Sequence, residues 1–372
     1  MGEKHLPTSI VILLTVVYVI IFLTGMLGNV STCIVVMRNS YMHTATNYYL
    51  FSLAISDVVS LLLALPPELY SIWEAYPWRF GEPFCIIKSF VLEMTSYASV
   101  LTITAFTIER YFAICHPILS QKFSDLSRVL KIILLIWVIA CLCALPYPLH
   151  SRQFYYLYHP NTNEPLKDSL SCSILPVWLK GMSYMFQVST FVFFVAPMTI
   201  ITVMYILIGM ALRRSEVLTM KDSKLNTTSA PASKARRAVL RMLVAVVVAF
   251  FLCWAPFHTQ RLMTVYVQPQ DWTEQLLNIQ THIFYLSGVL YFFSSTVNPI
   301  LYNLMSRKYR HAFKRTLCRC CFGSNQLGDI NFFKTRFSTE RSTTAYTSLR
   351  TSSKERLKIS SPDGDKAAVS KL

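Results

Sequence analysis

Two ionisable residues mark opposite ends of one long apolar segment, Ser89 to Pro117. The segment is long enough for a membrane-spanning helix, which needs about 20 residues. Glu93 lies near its start and Arg110 near its end. On a helix rising about 1.5 Å per residue, the two charges lie about 25 Å apart. Ionisable residues within a membrane are costly and mark functional sites, so this segment is expected to connect chemistry on two sides of a membrane.

Two further carboxylates belong to the preceding apolar segment. Asp57 lies in its middle, and the segment ends in Leu65-Pro66-Pro67-Glu68. Prolines remove backbone donors, which predicts a kink that re-aims Glu68. Glu68 and Glu93 then supply two acids to one partly dry outer pocket, where a ligand arginine could bind a carboxylate through paired hydrogen bonds. Arg261 adds a cation for a carbonyl or an acid of the ligand.

The charged residues described above need membrane-spanning helices to position them. The composition of the chain supports the presence of such helices. Only 15% of the 372 residues are charged, where about 25% is typical of soluble proteins. Apolar segments recur along the chain, which predicts an all-α membrane protein with seven transmembrane helices. The expected spans are residues 9–37, 47–70, 85–114, 129–149, 183–212, 238–267 and 283–304. Residues 306–318 have the pattern of a short cytoplasmic amphipathic helix, followed by a disordered tail, 319–372.

The basic residues are concentrated on the Arg110 side of these spans. The loops on that side and the tail hold 28 Lys/Arg and 9 Asp/Glu, and the rest of the chain holds 7 and 10. The positive-inside rule therefore places that side in the cytoplasm and residues 1–8 outside. Because topology explains the net charge of +16, no nucleic-acid partner is expected. The slightly acidic outer face favours basic ligands.

The ten cysteines divide by side of the membrane. Only Cys85 and Cys172 fall on the outer face, where disulfides persist, and one bridge between them is the simplest interpretation. Extended β structure is plausible in the surrounding outer loop, residues 150–178. Cys318, Cys320 and Cys321 follow the amphipathic segment on the reducing side and are candidates for palmitoylation.

Separate motifs occur one set per span and in a fixed order. They are Gly28-Asn29, Leu53-Ala54 with Asp57, Cys85, Glu109-Arg110-Tyr111, Trp137, Pro197 with Tyr205, Cys253-Trp254-Ala255-Pro256, and Asn298-Pro299 with Tyr302. Over about residues 9–320 the chain resembles the rhodopsin-like (class A) G-protein-coupled receptors. The resemblance implies a receptor that is not an enzyme, needs no cofactor and acts on a heterotrimeric G protein.

The resemblance assigns roles at the inner side and in the membrane centre. Arg110 is expected to pair with Glu109 at rest and to reach a partner once released. Prolines allow helices to pivot, and an outward swing of the sixth span is implied. The expected coupling residues are Glu109, Arg110, Tyr111, Tyr205, Phe250, Trp254, Asn298, Pro299 and Tyr302.

An allosteric sodium site around Asp57 is also implied. Its expected neighbours are Ser99, Ser295, Asn298 and Asn29. Oxygen ligands suit a hard cation. Relatives often carry Asn where this chain has Ser294, and a protonated, hydrogen-bonded Asp57 is the alternative.

The ligand class is narrowed by residue types in the outer half. The seventh span has no lysine, which excludes a retinal Schiff base, and the third has no outer aspartate of the kind found in amine receptors. The stretches LPPELYSIWEAYPWRFG and CWAPFHTQRLM resemble neuromedin U receptors and the arthropod pyrokinin and capa receptors, whose peptides end in Pro-Arg-X-amide. The capa type looks nearest. The implied ligand residues are Glu68, Glu93, His258, Gln260, Arg261, Phe284 and Tyr291.

The resemblance also implies partners and leaves alternatives open. Signalling through Gq and calcium at the plasma membrane is expected, with membrane lipid around the bundle. The Ser/Thr-rich tail is expected to be a receptor-kinase substrate that recruits arrestin. A receptor for ghrelin-, motilin- or thyrotropin-releasing-hormone-like peptides is the alternative within the class. A transporter or channel is a remote alternative, and an intramembrane protease is disfavoured because Asp57 is the one aspartate in the spans.

Overall fold

The structure is a computed structural model that describes residues 6–123, 125–222, 230–267, 271–305 and 310–316. Within that part of the chain, seven helical segments are long and apolar enough to cross a membrane. These spans are Thr8–Arg38, Ala45–Trp73, Gly81–Cys115, Leu126–His150, Pro176–Arg214, Val244–Tyr266 and Glu274–Ile300. The predicted seven-helix bundle is confirmed.

Several spans are interrupted or extended helices. The helices are Thr8–Arg38, Ala45–Leu63, Leu65–Trp73, Gly81–Cys115, Pro117–Phe123, Leu126–Ala144, Pro146–His150, Leu179–Thr190, Ala196–Asp222, Ala230–Tyr266 and Glu274–Met305, with a π-helical turn at Phe191–Val195. The second span breaks at Ala64, beside its two prolines, as expected for residues that lack a backbone donor. Pro256 and Pro299 lie inside the sixth- and seventh-span helices.

Some helices extend well beyond the predicted spans. The polar loop expected at 213–237 is helical up to Asp222 and again from Ala230. This segment contains Leu, Met, Arg, Lys and Ala residues, which favour helix in water as well as in lipid. The apolar pattern therefore ends at the edge of the bilayer, whereas the helix continues beyond it. The seventh helix begins at Glu274 and not at 283, because the Thr273 hydroxyl accepts a hydrogen bond from the Leu276 amide at 3.2 Å and caps it.

A two-stranded hairpin covers the outer end of the bundle. Strand β1, Ser151–Tyr155, pairs antiparallel with β2, Leu170–Ile174. The hairpin is tied to the third span by the Cys85–Cys172 disulfide, with Cα atoms 5.7 Å apart. Both the bridge and the extended structure were predicted. The hairpin therefore holds a fixed position over the start of the third span.

At the inner end, residues 310–316 form a helix turn against the bundle. Ala312 is fully buried in a cluster with Val35 and Met42, and Asn39 donates a hydrogen bond to the Thr316 hydroxyl at 3.0 Å. These contacts agree with the predicted amphipathic helix over part of its length. Residues 306–309 and the predicted tail, 319–372, lie outside the described residues, as do Cys318, Cys320 and Cys321.

The first and seventh spans pack closely against each other at Gly28. A β-carbon built there would lie 2.8 and 2.9 Å from two ring carbons of Pro299. We predict that Gly28→Ala destabilises the receptor by about 1–3 kcal/mol through overpacking, measured as thermal unfolding of purified receptor in detergent. Gly181→Ala is the matched control, since no atom lies within 4 Å of its added carbon. Equal melting temperatures for the two variants would contradict the prediction.

Candidate functional site

The outer half of the bundle contains a buried ion pair between the third and sixth spans. Glu93 is 1% exposed, and both of its oxygens accept hydrogen bonds from the Arg261 guanidinium, one of them at 2.9 Å. The sequence led us to expect separate groups, with Glu93 facing a ligand cation and Arg261 facing a ligand carbonyl or acid. The structure instead makes each the partner of the other.

Aromatic rings enclose the Arg261 guanidinium. Its central carbon lies 4.3 Å from the centroid of the Phe257 ring and 5.3 Å from those of Tyr147 and Phe186. The Tyr147 hydroxyl accepts a further bond from Arg261 at 3.3 Å. Removing one partner of such a buried pair costs about 3–5 kcal/mol, because the other charge is left uncompensated.

A second, looser ion pair lies between the second and third spans. The Lys88 ammonium is 3.1 Å from one oxygen of Glu68, and it lies 5.5 Å from the centroid of the Trp78 ring. The two charged side chains are 18% and 21% exposed. Partly exposed pairs of this kind contribute about 0–1 kcal/mol. Of the two carboxylates Glu68 and Glu93, Glu68 is therefore the one that solvent can reach, and Lys88 neutralises it.

The other expected ligand residues differ in burial. His258 is 3% exposed, its Nδ1 lies 3.0 Å from the Thr190 hydroxyl, and its ring stacks on Phe194. Tyr291 is also buried and donates to the Leu92 carbonyl at 2.9 Å. Gln260 is half-buried and Phe284 is exposed. Tyr291 and His258 thus form the floor of the outer region, while Gln260 and Phe284 lie nearer its edge.

Polar side chains from four spans lie around Asp57 in the membrane centre. Ser295 and Asn298 each donate to a different oxygen of the Asp57 carboxylate at 3.0 Å. Ser99 and Ser56 hydrogen-bond to each other at 2.7 Å, and Asn29 donates to the Ser295 carbonyl at 2.8 Å. The residues expected around a sodium ion are therefore close together, with Asp57 already bonded by two of them.

A small cavity of about 30 Å³ lies beside Asp57. Phe250 and Trp254 form its wall, with ring centroids 6.1 Å apart. Trp254 also contacts Tyr291 edge-on at 5.5 Å. Because Tyr291 belongs to the floor of the outer region, these rings form continuous packing from that floor to the centre of the bundle.

The inner end differs from the expected pairing of neighbours. Glu109 bonds Arg128 in the fourth span, while Arg110 donates to the Thr46 hydroxyl and lies 5.3 Å from the Phe106 ring. The predicted ion pair between Arg110 and Glu109 is therefore not found, because each residue bonds a different partner. Adjacent helix residues point about 100° apart, so Glu109 can reach the fourth span while Arg110 turns toward the second.

Two other expected coupling residues, Tyr205 and Tyr111, contact side chains of the same inner region. Tyr205 accepts a hydrogen bond from the Thr107 hydroxyl at 3.2 Å, and the Tyr111 hydroxyl lies 3.2 Å from His116 Nε2. The Tyr302 side chain lies outside the described part of the structure. Three contacting residues, Lys88, Thr46 and Arg128, were not predicted from sequence. Of these, only Lys88 carried a signal, as a lone cation at the outer end of an apolar segment.

Comparisons with known proteins define the class. A family model described as "7 transmembrane receptor (rhodopsin family)" matches residues 28–302. The chain belongs to the rhodopsin family of seven-transmembrane receptors. It is a receptor and not an enzyme, and the predicted class A assignment is confirmed.

Individual relatives narrow the assignment within that family. The chain is 43% identical to the pyrokinin-1 receptor of Drosophila melanogaster, over 85% of this chain and 82% of that one. It is 40% identical to the neuromedin U receptor homolog nmur-2 of Caenorhabditis elegans, with the same two shares. It is 38% identical to neuromedin-U receptor 2 of Rattus norvegicus, over 86% and 78%. The predicted likeness to pyrokinin and neuromedin U receptors is confirmed.

Proposed function

We propose that this protein is a plasma-membrane receptor, with its amino terminus outside, for an amidated neuropeptide ending in Pro-Arg-X-amide, of the pyrokinin or capa type. The observation that carries the ligand class is the pair of outer carboxylates, Glu68 and Glu93, each neutralised by a side chain of the receptor. A peptide arginine supplies the charge that such carboxylates bind. The names of the pyrokinin and neuromedin U relatives support a peptide ligand.

The receptor acts as a guanine-nucleotide exchange factor for a heterotrimeric G protein of the Gq type, with calcium release as its output. Peptide at the outer pocket and G protein at the inner cavity bind two linked sites, so each tightens the other. The chain of rings from Tyr291 to Trp254 and Phe250 supports this coupling. Arg110, released from Thr46, is the group that reaches the G protein.

Three further features belong to the same proposal. Asp57, Ser99, Ser295 and Asn298 would hold a sodium ion, whose charge their oxygen atoms would neutralise. Lipid is attached at Cys318, Cys320 and Cys321. Phosphorylation of the Ser/Thr-rich tail by a receptor kinase recruits arrestin, because the added phosphates carry negative charge that cationic pockets of arrestin bind.

A calcium assay in cells expressing the receptor tests the ligand class. The panel consists of one synthetic peptide ending in Pro-Arg-Leu-amide, its free-acid form, and a version with neutral citrulline in place of arginine. We expect a response to the amide only, because the citrulline peptide lacks the cation. An equal response to the citrulline peptide would refute the arginine–carboxylate contact, and a response confined to ghrelin-, motilin- or thyrotropin-releasing-hormone-like peptides would replace the ligand class.

A further inference from the structure

The two outer carboxylates are neutralised by cations of different kinds. Glu93 is held by an arginine through both oxygens, and the guanidinium is surrounded by three aromatic rings. Glu68 is held by a lysine through one oxygen, at 3.1 Å. The side chains of the first pair are 2% and 11% exposed, and those of the second are 21% and 18% exposed. A ligand cation arriving from outside therefore meets Glu68 as the accessible carboxylate.

Lysine is the weaker holder of a carboxylate. Its ammonium is a compact, strongly hydrated charge on a flexible four-carbon chain, whereas a guanidinium presents a planar fork that matches both carboxylate oxygens. Within the described residues, Lys88 bonds one oxygen of the Glu68 carboxylate and does not bond the other. An incoming guanidinium can thus form two bonds where Lys88 forms one.

Trp78 supplies a neighbouring surface for the same exchange. The Lys88 ammonium lies 5.5 Å from the centroid of the Trp78 ring. Two hydrogen bonds hold Trp78 in place. Its indole Nε1 donates to the Gly81 carbonyl at 2.9 Å, and its backbone amide donates to the Leu170 carbonyl of the hairpin at 2.9 Å. A guanidinium stacks on an aromatic face better than an ammonium does. An arginine side chain of the ligand would therefore fit the place that Lys88 occupies between Glu68 and Trp78.

We infer that Lys88 is an internal competitor for the ligand: it occupies Glu68 and the face of Trp78 in the empty receptor, and the arginine of the bound peptide displaces it from both. The inference rests on the proposed function, because it concerns the same peptide arginine, and it adds a residue that sets affinity and selectivity. Arg261 remains on Glu93 during this exchange, since its pair is buried and doubly bonded.

Displacement makes the pocket selective for guanidinium. A peptide lysine would exchange one ammonium for another at Glu68 and gain little, and a neutral side chain could not replace Lys88 at all. The cost of removing Lys88 also lowers affinity for every cationic peptide, which keeps weakly matched peptides from binding. Deleting the competitor should therefore tighten binding of the arginine peptide specifically.

The test is competition binding on membranes carrying wild-type receptor, Lys88→Gln or Lys88→Arg. The probe is a fluorescent synthetic peptide ending in Pro-Arg-Leu-amide, and the competitors are its unlabelled form and the citrulline version. Lys88→Gln should raise affinity for the arginine peptide by about twofold to fivefold, as expected from losing one partly exposed ion pair. Affinity for the citrulline peptide should not rise. Lys88→Arg should lower affinity for the arginine peptide, because a second guanidinium holds Glu68 more firmly.

Lys180→Gln is the matched control, since it removes one exposed lysine from the start of the fifth span. An equal rise with Lys180→Gln would assign the effect to net charge and overturn the inference, as would a fall with Lys88→Gln or a rise shared by the citrulline peptide. If the Lys88→Gln receptor fails to reach the membrane, the inference is decided by Lys88→Arg alone, for which a fall in affinity for the arginine peptide is expected. Absence of probe binding to wild-type receptor refutes the proposed ligand instead, which separates the two failures.

Discussion

Replacing Arg110 by alanine is expected to abolish peptide-evoked calcium signalling while the receptor still binds its peptide. Arg110 lies at the inner end of the third span, bonded to Thr46 and packed on Phe106, far from Glu93 and Glu68. The proposed exchange activity needs its guanidinium at the G protein, and alanine offers no replacement. The measurement compares calcium release with affinity for a labelled Pro-Arg-Leu-amide peptide at equal surface expression.

Peptide affinity must be measured with excess guanine nucleotide, which uncouples the G protein in wild type and variant alike. Without it, linkage alone would lower agonist affinity in Arg110→Ala, typically by 5- to 150-fold. Thr46→Val is the control, because it removes the hydroxyl that holds Arg110 and keeps the arginine. That variant should still signal and should gain peptide-independent activity. Full signalling by Arg110→Ala would refute its role.

Glu93→Gln is expected to weaken peptide binding by about 2–5 kcal/mol, the range for truncating one partner of a buried charge pair. This corresponds to about 30-fold to several-thousand-fold in affinity. Two effects act in the same direction. The pocket loses the negative charge of Glu93, which attracts the peptide arginine, and Arg261 becomes an uncompensated cation inside three rings, which repels an incoming guanidinium. Competition binding with the Pro-Arg-Leu-amide probe measures the loss.

The two effects can be separated with Glu93→Gln combined with Arg261→Gln. The double variant removes the unpaired cation, so it should recover part of the affinity and not all of it. Complete recovery would show that Glu93 serves only to neutralise Arg261, and would contradict any direct electrostatic attraction between Glu93 and the peptide arginine. Glu82→Gln is the surface control, because that carboxylate is 48% exposed and lies 3.7 Å from Arg152. Its loss should change affinity little.

Features governed by the membrane itself could be predicted from sequence. A span needs a run of apolar residues of known length, so all seven were located, and topology assigned Cys85 and Cys172 to the oxidising side. The break near Pro66 followed from the missing backbone donors. For the spans and the helix break, a single physical constraint acts on local sequence, and the residues that obey it are neighbours in the chain.

The partners of the charged residues could not be predicted in the same way. Glu93 and Arg261 are 168 residues apart, and their pairing depends on the rotation of two helices about their axes, which an almost uniformly apolar pattern does not encode. The same reason explains why Arg110 was assigned to its neighbour Glu109 instead of Thr46. Apolar patterning places a residue at a depth in the membrane, whereas its partner depends on which helix it faces.

The length of the sixth helix has a mechanical consequence. The helix runs from Ala230 to Tyr266 with Pro256 inside it, so about 39 Å of helix lies on the inner side of the proline and about 7.5 Å separates the proline from Arg261. If the helix turns about Pro256 as a stiff lever, a shift of about 1 Å at Arg261 becomes about 5 Å at the Ala230 end. A small adjustment of one ion pair would thereby become a displacement several times larger at the far end of the same helix.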